Sequence, residues 1–216
     1  MKELTQQRIK DLLSRYPLLS VNEASISAAV ESIITSYKKG GKILVCGNGG
    51  SASDALHIVG ELQKNFAINR ELTEECKAKL SKCQHAEYLM ANLEMGIPAI
   101  SLVSETSLMT AFANDTAPDL TFAQEVFGQG KAGDIFLGIS TSGNSANVIY
   151  ATEVAKVLDI TTIGLTGKTG GKLKDFADIL INVPETETYK IQELHLPIYH
   201  AICLAVEAEF FSGDKR

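Results

Sequence analysis

Short apolar runs alternate with amphipathic stretches of helical period along most of the chain. Runs in which polar and apolar positions do not alternate predict buried strands of a parallel sheet, because both faces of such a sheet are covered. We expect five strands, at residues 43–46, 99–103, 134–139, 161–165 and 179–183. The helical stretches between them predict an α/β fold, a doubly wound parallel five-stranded sheet flanked by helices.

The chain begins with a helical stretch that precedes this alternation. Residues 1–40 predict an N-terminal helical segment of two helices, and Ser20-x-x-Glu23 has the form of a capping box at the start of the second. The sequence contains no repeat and no Pro/Ser-rich linker. We therefore predict a single domain over 1–216, with an α/β core at 41–216.

A polar segment interrupts the alternation after the first strand and helix. Residues 67–96 predict a helical insertion, and Thr73 stands at the head of a charged helix within it. A charged helix that joins no strand pair is typical of a surface or oligomer-contact element. We interpret the insertion in this way.

Composition narrows the classes of function. The formal net charge of −6 disfavours nucleic acid and anionic membranes as partners, since both reward basic surfaces. No apolar run reaches the length of a membrane span, and the amphipathic start does not resemble a signal peptide. The four cysteines have no CxxC spacing, which argues against a thiolate zinc ribbon or a disulfide framework. We expect a cytoplasmic protein with reduced thiols.

Two polar turns follow predicted strands and precede predicted helices. Backbone N–H groups at a helix N-terminus favour anions, and hydroxyls beside them suit a phosphate monoester. The second turn carries four such hydroxyls, on Ser140, Thr141, Ser142 and Ser145. The first is Asn48-Gly49-Gly50-Ser51, where glycines allow close approach of a ligand to the main chain. Neither turn has a nucleotide P-loop pattern. The alternative is that both are merely capped strand–helix turns.

Two helices carry polar residues at spacings that place them on one face. His57 and Glu61 are four apart and are compatible with two metal ligands, a base with its orienting partner, or a plain surface pair. Gln192 and His200 are eight apart on the last helix. Pro197 lies between them and removes a backbone hydrogen bond, so we expect it to influence the direction of His200.

Together these segments resemble the phosphoheptose isomerases of the SIS (sugar isomerase) domain family. The resemblance covers nearly the whole chain outside the insertion, and the run Gly138–Val148 is its most specific part. The matching segments are Cys46–Ser51, His57-x-x-x-Glu61, Asn114-Asp115, Ser140–Ser145, Thr166–Lys168 and Ile191-Gln192-Glu193-x-His195.

The resemblance implies an aldose–ketose isomerase that converts D-sedoheptulose 7-phosphate into D-glycero-D-manno-heptose 7-phosphate through an enediol, for bacterial surface heptoses. It implies a homotetramer with shared active sites, one zinc ion per subunit, and Glu61 and His200 as the catalytic base and acid–base partner. The implied zinc ligands are His57, Glu61, Gln192 and His200. The implied substrate-binding residues are Asn48, Gly49, Gly50, Ser51, Glu61, Asn114, Asp115, Ser140, Thr141, Ser142, Ser145 and Gln192.

The chain departs from the family pattern just before Gln192, where Tyr189 and Lys190 replace the small polar residues that the family often carries. A different phosphorylated ketose is therefore an alternative substrate. A second alternative is a non-catalytic SIS protein that binds a sugar phosphate or a replication or regulatory partner. Such relatives lack the acid–base set, whereas Glu61, Gln192 and His200 are all present here. The enzyme is the favoured hypothesis.

Overall fold

The computed structural model describes residues 1–213 and has a five-stranded, wholly parallel sheet at its centre. The strand order is β2-β1-β3-β4-β5, and every neighbouring pair is parallel. The strands are β1 Ile43–Gly47, β2 Ala99–Ser101, β3 Ile135–Ser140, β4 Thr161–Thr166 and β5 Ile179–Asn182. The predicted fold class is confirmed.

Helices cover both faces of the sheet, as continuous apolar strands require. The described residues contain α1 Glu3–Arg15, α2 Glu23–Lys38, α3 Gly50–Gln63, α4 Glu74–Leu80, α5 Ala86–Asn92, α6 Thr106–Asp115, α7 Thr121–Gln129, α8 Ala146–Val157 and α9 Thr188–Phe211. One core lies between the sheet and α1, α2, α3 and α9. The other lies between the sheet and α7 and α8. Strand residues divide between the cores by alternation, so that Val45 faces the first and Leu44 the second.

The predicted capping box is wrong. Ser20 lies inside a 3-10 helix, Pro17–Asn22, that runs directly into α2, and Asn22 makes no side-chain cap hydrogen bond. The backbone N–H of Glu23 already donates to the carbonyl of Ser20. The preceding turn therefore supplies a partner that a capping side chain would otherwise provide.

The insertion is helical, but it forms the two short helices α4 and α5 rather than one long helix. The Thr73 side chain accepts a hydrogen bond from the backbone N–H of Cys76, which confirms the predicted start of α4. Backbone hydrogen bonds close the base of the insertion, from Met95 N–H to the Arg70 carbonyl at 2.9 Å and from Ile97 N–H to the Leu62 carbonyl at 2.8 Å.

α9 has the length and hydropathy of a membrane-crossing helix, but most of it is buried within the fold. It packs against α1, α2 and α3 as the core helix of one layer. Pro197 lies within it and is buried. The burial of α9 against α3 brings the two helices with candidate functional residues side by side.

Candidate functional site

The candidate site begins where the strand order reverses, between β1 and β3. In open parallel sheets ligands bind in the crevice at this switch point, beyond the carboxyl ends of the strands. The turn after β1 and the turn after β3 meet there through Asn48 and Asn147. Their side-chain amides exchange two hydrogen bonds of 2.9 Å. Asn48 therefore lies at the switch point, where its role in substrate binding stays a prediction. Its partner Asn147 was not predicted.

The turn after β3 gathers hydroxyls at the N-terminus of α8. The hydroxyl oxygens of Ser140 and Ser145 lie 2.9 Å apart, and the Ser142 hydroxyl accepts a hydrogen bond from Asn144 N–H at 3.1 Å. Ser145 stands at the N-cap position but makes no side-chain cap hydrogen bond. These hydroxyls and the adjacent N-terminus of α8 form a setting that suits an anion.

Glycines hold the same turn in place. Gly143 has a φ of +64°, and a Cβ there would overlap the carbonyl oxygen of Gly170. The carbonyl of Gly143 accepts from Leu173 N–H at 2.9 Å, and Gly167 N–H donates to the Thr141 carbonyl at 3.0 Å. The segment after β4 therefore packs against the hydroxyl-bearing turn and holds it through backbone hydrogen bonds.

Gln192 reaches the N-terminus of α3. A Cβ at Gly50 would contact the carboxamide of Gln192, so the absence of a side chain at Gly50 makes room for the Gln192 amide. Gln192 is half-buried on α9. This contact places Gln192 beside the Gly-rich turn, while its roles as metal ligand and substrate-binding residue stay predictions.

His57 lies in a chain of hydrogen bonds between α3 and α9. Its Nδ1 is 3.1 Å from the Tyr199 hydroxyl, which donates to the Asp54 carboxylate at 3.1 Å. Because the Tyr199 proton goes to Asp54, the tautomer assigned from this network has the proton on His57 Nδ1. The Nε2 atom then faces Glu61 Oε1 at 3.2 Å.

Two acceptors face each other between His57 Nε2 and the Glu61 carboxylate. Such a contact needs a proton or a cation between them, that is, an imidazolium or a bound metal. The second oxygen, Glu61 Oε2, is buried without a hydrogen bond, and Lys64 Nζ forms an ion pair with it at 3.6 Å. Glu61 is thus a poorly compensated carboxylate with a 14% exposed side chain.

His200 completes the cluster from the α9 side. Its ring packs edge-on against His57, Tyr199 and Phe66, with ring centroids 4.9, 5.0 and 5.3 Å away. Its Nε2 is buried without a hydrogen bond. Burial lowers the pKa of His200 below its ordinary value, and His57 lowers it further, while Glu61 acts in the opposite direction. The neutral imidazole is therefore favoured.

The structure brings some predicted residues together and leaves others apart. His57, Glu61 and His200 form one cluster, and Gln192 lies on the same two helices next to Gly50. Asn114 and Asp115 end α6, are exposed, and hydrogen-bond each other at 2.7 Å. Within residues 1–213 no hydrogen bond joins these two side chains to the cluster, so their role stays a prediction.

Two supporting residues escaped the sequence reasoning. Asp54 and Tyr199 hold His57 through hydrogen bonds. Asp54 has a local signal, since it precedes His57 by three positions and shares its helix face. Tyr199 has none, because its partner lies 142 positions away in the sequence.

The SIS domain family model matches residues 6–78 and 84–167. Phosphoheptose isomerase 2 of Campylobacter jejuni is 41% identical over 86% of this chain and 81% of that protein. The phosphoheptose isomerase of Aneurinibacillus thermoaerophilus is 39% identical over 93% of this chain and 87% of its own length.

Two solved structures of phosphoheptose isomerases are similar to this chain in fold and sequence. The phosphoheptose isomerase of Neisseria gonorrhoeae has a TM-score of 0.69 at 33% identity, covering 94% of this chain and 91% of that one. The phosphoheptose isomerase of Francisella tularensis has a TM-score of 0.72 at 28% identity, covering 96% and 99%.

Proposed function

Because the chain belongs to the SIS domain family and, within it, to the phosphoheptose isomerases, we propose that it converts D-sedoheptulose 7-phosphate into D-glycero-D-manno-heptose 7-phosphate. The product would serve bacterial surface heptose biosynthesis. The observation that carries the proposal is the pairing of a poorly compensated carboxylate, Glu61, with a neutral imidazole, His200, across α3 and α9. A non-catalytic sugar-phosphate binder has no need of this pair.

The pair suits proton transfer between adjacent carbons. Glu61 takes the proton from C1 of the ketose, the C1–H electrons form the C1=C2 bond, and O2 receives a proton from His200. The resulting enediol then loses its O1 proton to His200 while Glu61 returns a proton to C2. The C1 aldehyde forms, and both side chains recover their starting protonation states.

The turn after β3 is the proposed phosphate site. Ser140, Thr141, Ser142 and Ser145 surround the N-terminus of α8, where hydroxyl and backbone donors meet an anion. Asn48, Gly49, Gly50 and Ser51 would line the path from the phosphate toward the α3–α9 cluster. By the same resemblance, Asn114 and Asp115 would also line the sugar site.

A zinc ion fits the cluster chemically. The ligands would be His57, Glu61, Gln192 and His200, and a zinc ion there would polarise the sugar oxygens as a Lewis acid. The facing acceptors of His57 and Glu61 and the unpartnered His200 Nε2 support this assignment. Against it, residues 1–213 contain no group of three His, Cys, Asp or Glu side chains in a metal-binding arrangement. The fourth donor would be an amide, an uncommon zinc ligand.

We further propose a cytoplasmic homotetramer with shared active sites. An apolar hollow of about 210 Å³, lined by Phe112, Leu120 and Phe127 among others, offers surface for subunit contact. All four cysteines are free, which suits a reducing compartment. Light scattering after size exclusion would measure the oligomer.

The test of function is a coupled assay with sedoheptulose 7-phosphate on wild-type protein and two variants, Glu61→Gln and His200→Ala. We expect wild-type turnover, and a loss of about 100-fold or more in kcat in each variant, the range attributed to general acid–base groups. Glu31→Gln and His85→Ala are matched controls at exposed positions and should keep full activity. Full activity in Glu61→Gln would overturn the assignment of the base.

Zinc is tested on the same preparations, because Glu61 and His200 stand in both the catalytic and the metal set. Protein purified without chelator should contain about one zinc per subunit, and chelator should remove both metal and activity. Retained activity after complete removal of metal would refute a zinc requirement. Turnover of wild-type protein on other ketose phosphates but not on this one would favour the alternative substrate.

A further inference from the structure

A fully buried ion pair lies directly behind the cluster. Arg70 and Glu207 are both 0% exposed, with Arg70 Nη2 and Nε each 2.9 Å from Glu207 Oε1. Arginine and glutamate are rarely buried completely, and removing both charges from water has a large desolvation cost. Stability alone therefore does not explain why this pair is buried, because the desolvation cost can exceed the attraction between the two charges.

Arg70 caps the helix that carries the proposed base. Its Nη1 donates to the Leu62 carbonyl at 2.6 Å and its Nη2 to the Glu61 carbonyl at 2.9 Å. These carbonyls belong to the last turn of α3, where helix geometry leaves them without intrahelical partners. A cation there also interacts favourably with the helix dipole. Arg70 thus fixes the backbone of Glu61 itself.

Glu207 holds the segment that follows α3. Its carboxylate accepts from the backbone N–H groups of Phe66, Ala67 and Ile68 at 2.7, 2.8 and 3.2 Å. The Phe66 ring, placed in this way, packs against His200. Glu207 also lies seven positions after His200 on α9, two turns along the same helix face.

Building on the proposed function, we propose that Arg70 and Glu207 are positioning residues that set the separation between Glu61 and His200. Arg70 holds the backbone of the proposed base. Glu207, on the helix of the proposed acid–base partner, holds Arg70 and the Phe66 backbone. The pair therefore ties α3 to α9 at the point where the two reacting side chains must meet.

The same contacts connect the insertion at residues 67–96 to the site. Arg70 stands at its start, and the Arg70 carbonyl accepts from Met95 N–H near its end. The base of the insertion is thus tied to the framework of the site, while α4 and α5 extend away from it with no buried residues.

Arg70→Lys tests the proposal, because lysine keeps the charge for Glu207 but lacks the planar fork that reaches two carbonyls. We expect kcat to fall about 100-fold, the effect of a misplacement of about 1 Å, with KM changed by less than about threefold. Glu207→Gln is the second variant, since it keeps the shape of the side chain and removes the charge. We expect the same split between kcat and KM.

Lys42→Met is the matched control. It breaks a mostly buried ion pair between Lys42 and Asp134, whose side chains are 19% and 4% exposed. This pair lies at the amino ends of β1 and β3, opposite the carboxyl ends where the site lies. This variant should lose thermal stability but keep kcat at a temperature where it is folded. If both test variants keep kcat within about twofold of wild type while folded, the proposal fails. It also fails if neither variant folds, because the pair would then be structural.

Hydrogen exchange separates this proposal from the proposed function. The amides of Phe66, Ala67 and Ile68 should be protected in wild type. At least one of them should exchange at least about tenfold faster in Glu207→Gln, because the carboxamide has one acceptor oxygen where the carboxylate has two. Unchanged protection would overturn the positioning role even if the enzyme is active. An inactive wild type with the expected loss of protection would instead refute the proposed function and leave the coupling of α3 to α9 supported.

Discussion

Replacing Gly50 with alanine should displace Gln192 without harming the fold. A Cβ at Gly50 would lie 3.1 Å from Gln192 Cδ and closer still to its Nε2. Ordinary contacts between such atoms are about 3.5–4.0 Å, so the amide must move by roughly 1 Å. The obstructed atoms are the far end of a flexible side chain, and the main chain of α3 can stay in place.

Gly50→Ala should change turnover and stability in opposite directions. A shift of about 1 Å in a group that orients substrate can reduce turnover about 100-fold. Alanine in a helix is favoured over glycine by up to about 1 kcal/mol, and by less at the first position. We therefore expect Gly50→Ala to lower kcat/KM by at least about tenfold while the free energy of unfolding stays equal or rises slightly.

The assay combines sedoheptulose 7-phosphate kinetics with urea unfolding. Gly60→Ala is the matched control, since Gly60 lies on the same helix and a Cβ there has nothing within 4 Å. It should gain about 1 kcal/mol in free energy of unfolding. Its turnover should equal that of wild type.

A double-mutant cycle with Gln192→Ala decides the mechanism. If Gly50→Ala acts through Gln192, it should have little further effect once the Gln192 amide is gone. Additive losses would show that the methyl group blocks the substrate directly. Full turnover in Gly50→Ala would refute the role of the Gln192 position altogether.

Three further outcomes follow from the described residues. Burial lowers the pKa of His195 to about 4, so below pH 6.5 the unfolded chain binds a proton that the folded chain does not bind. The free energy of unfolding should therefore fall by up to about 3 kcal/mol between pH 6.5 and 4. In urea titrations, His195→Leu should abolish this pH dependence. Burial, with Glu105, raises the pKa of Glu125 to about 7, so the folded chain retains a proton that the unfolded chain loses above pH 4.5. Glu125→Gln should therefore gain stability over wild type as pH rises from 5 to 8, and an equal difference at both pH values would contradict this. Ser145→Ala should raise KM about tenfold with kcat unchanged, as for one lost hydrogen bond to a charged group, and an unchanged KM would count against the phosphate site.

Strand and helix positions followed from local patterns. Apolar runs of 43–46 and 161–165 predicted β1 and β4 to within one residue, because burial on both faces leaves a continuous apolar signal. α7 was not predicted. It follows α6 closely, and its apolar residues Phe122 and Val126 become a recognisable face only when packed on α8.

The candidate site was also predictable from the sequence only in part. The hydroxyl-bearing turn after β3 was visible in the sequence, because every parallel strand delivers its following turn to the same edge of the sheet. The polar spacings of His57 with Glu61 and of Gln192 with His200 were visible as well. Whether these residues bind a metal, act in catalysis or form surface pairs stayed open, because the spacing of residues on one helix does not show which other helix packs against it.

The sequence by itself determined the parallel α/β architecture and the turn where a phosphate can bind, because both depend on short-range patterns of burial and backbone hydrogen bonding. Only the tertiary structure decided that α3 packs against α9, which brings Glu61 and His57 into one cluster with His200. The Arg70–Glu207 pair and the Asp54–Tyr199–His57 chain of hydrogen bonds became visible only there. The physical reason is that such contacts join residues more than 130 positions apart, and they depend on how whole helices pack rather than on any local preference.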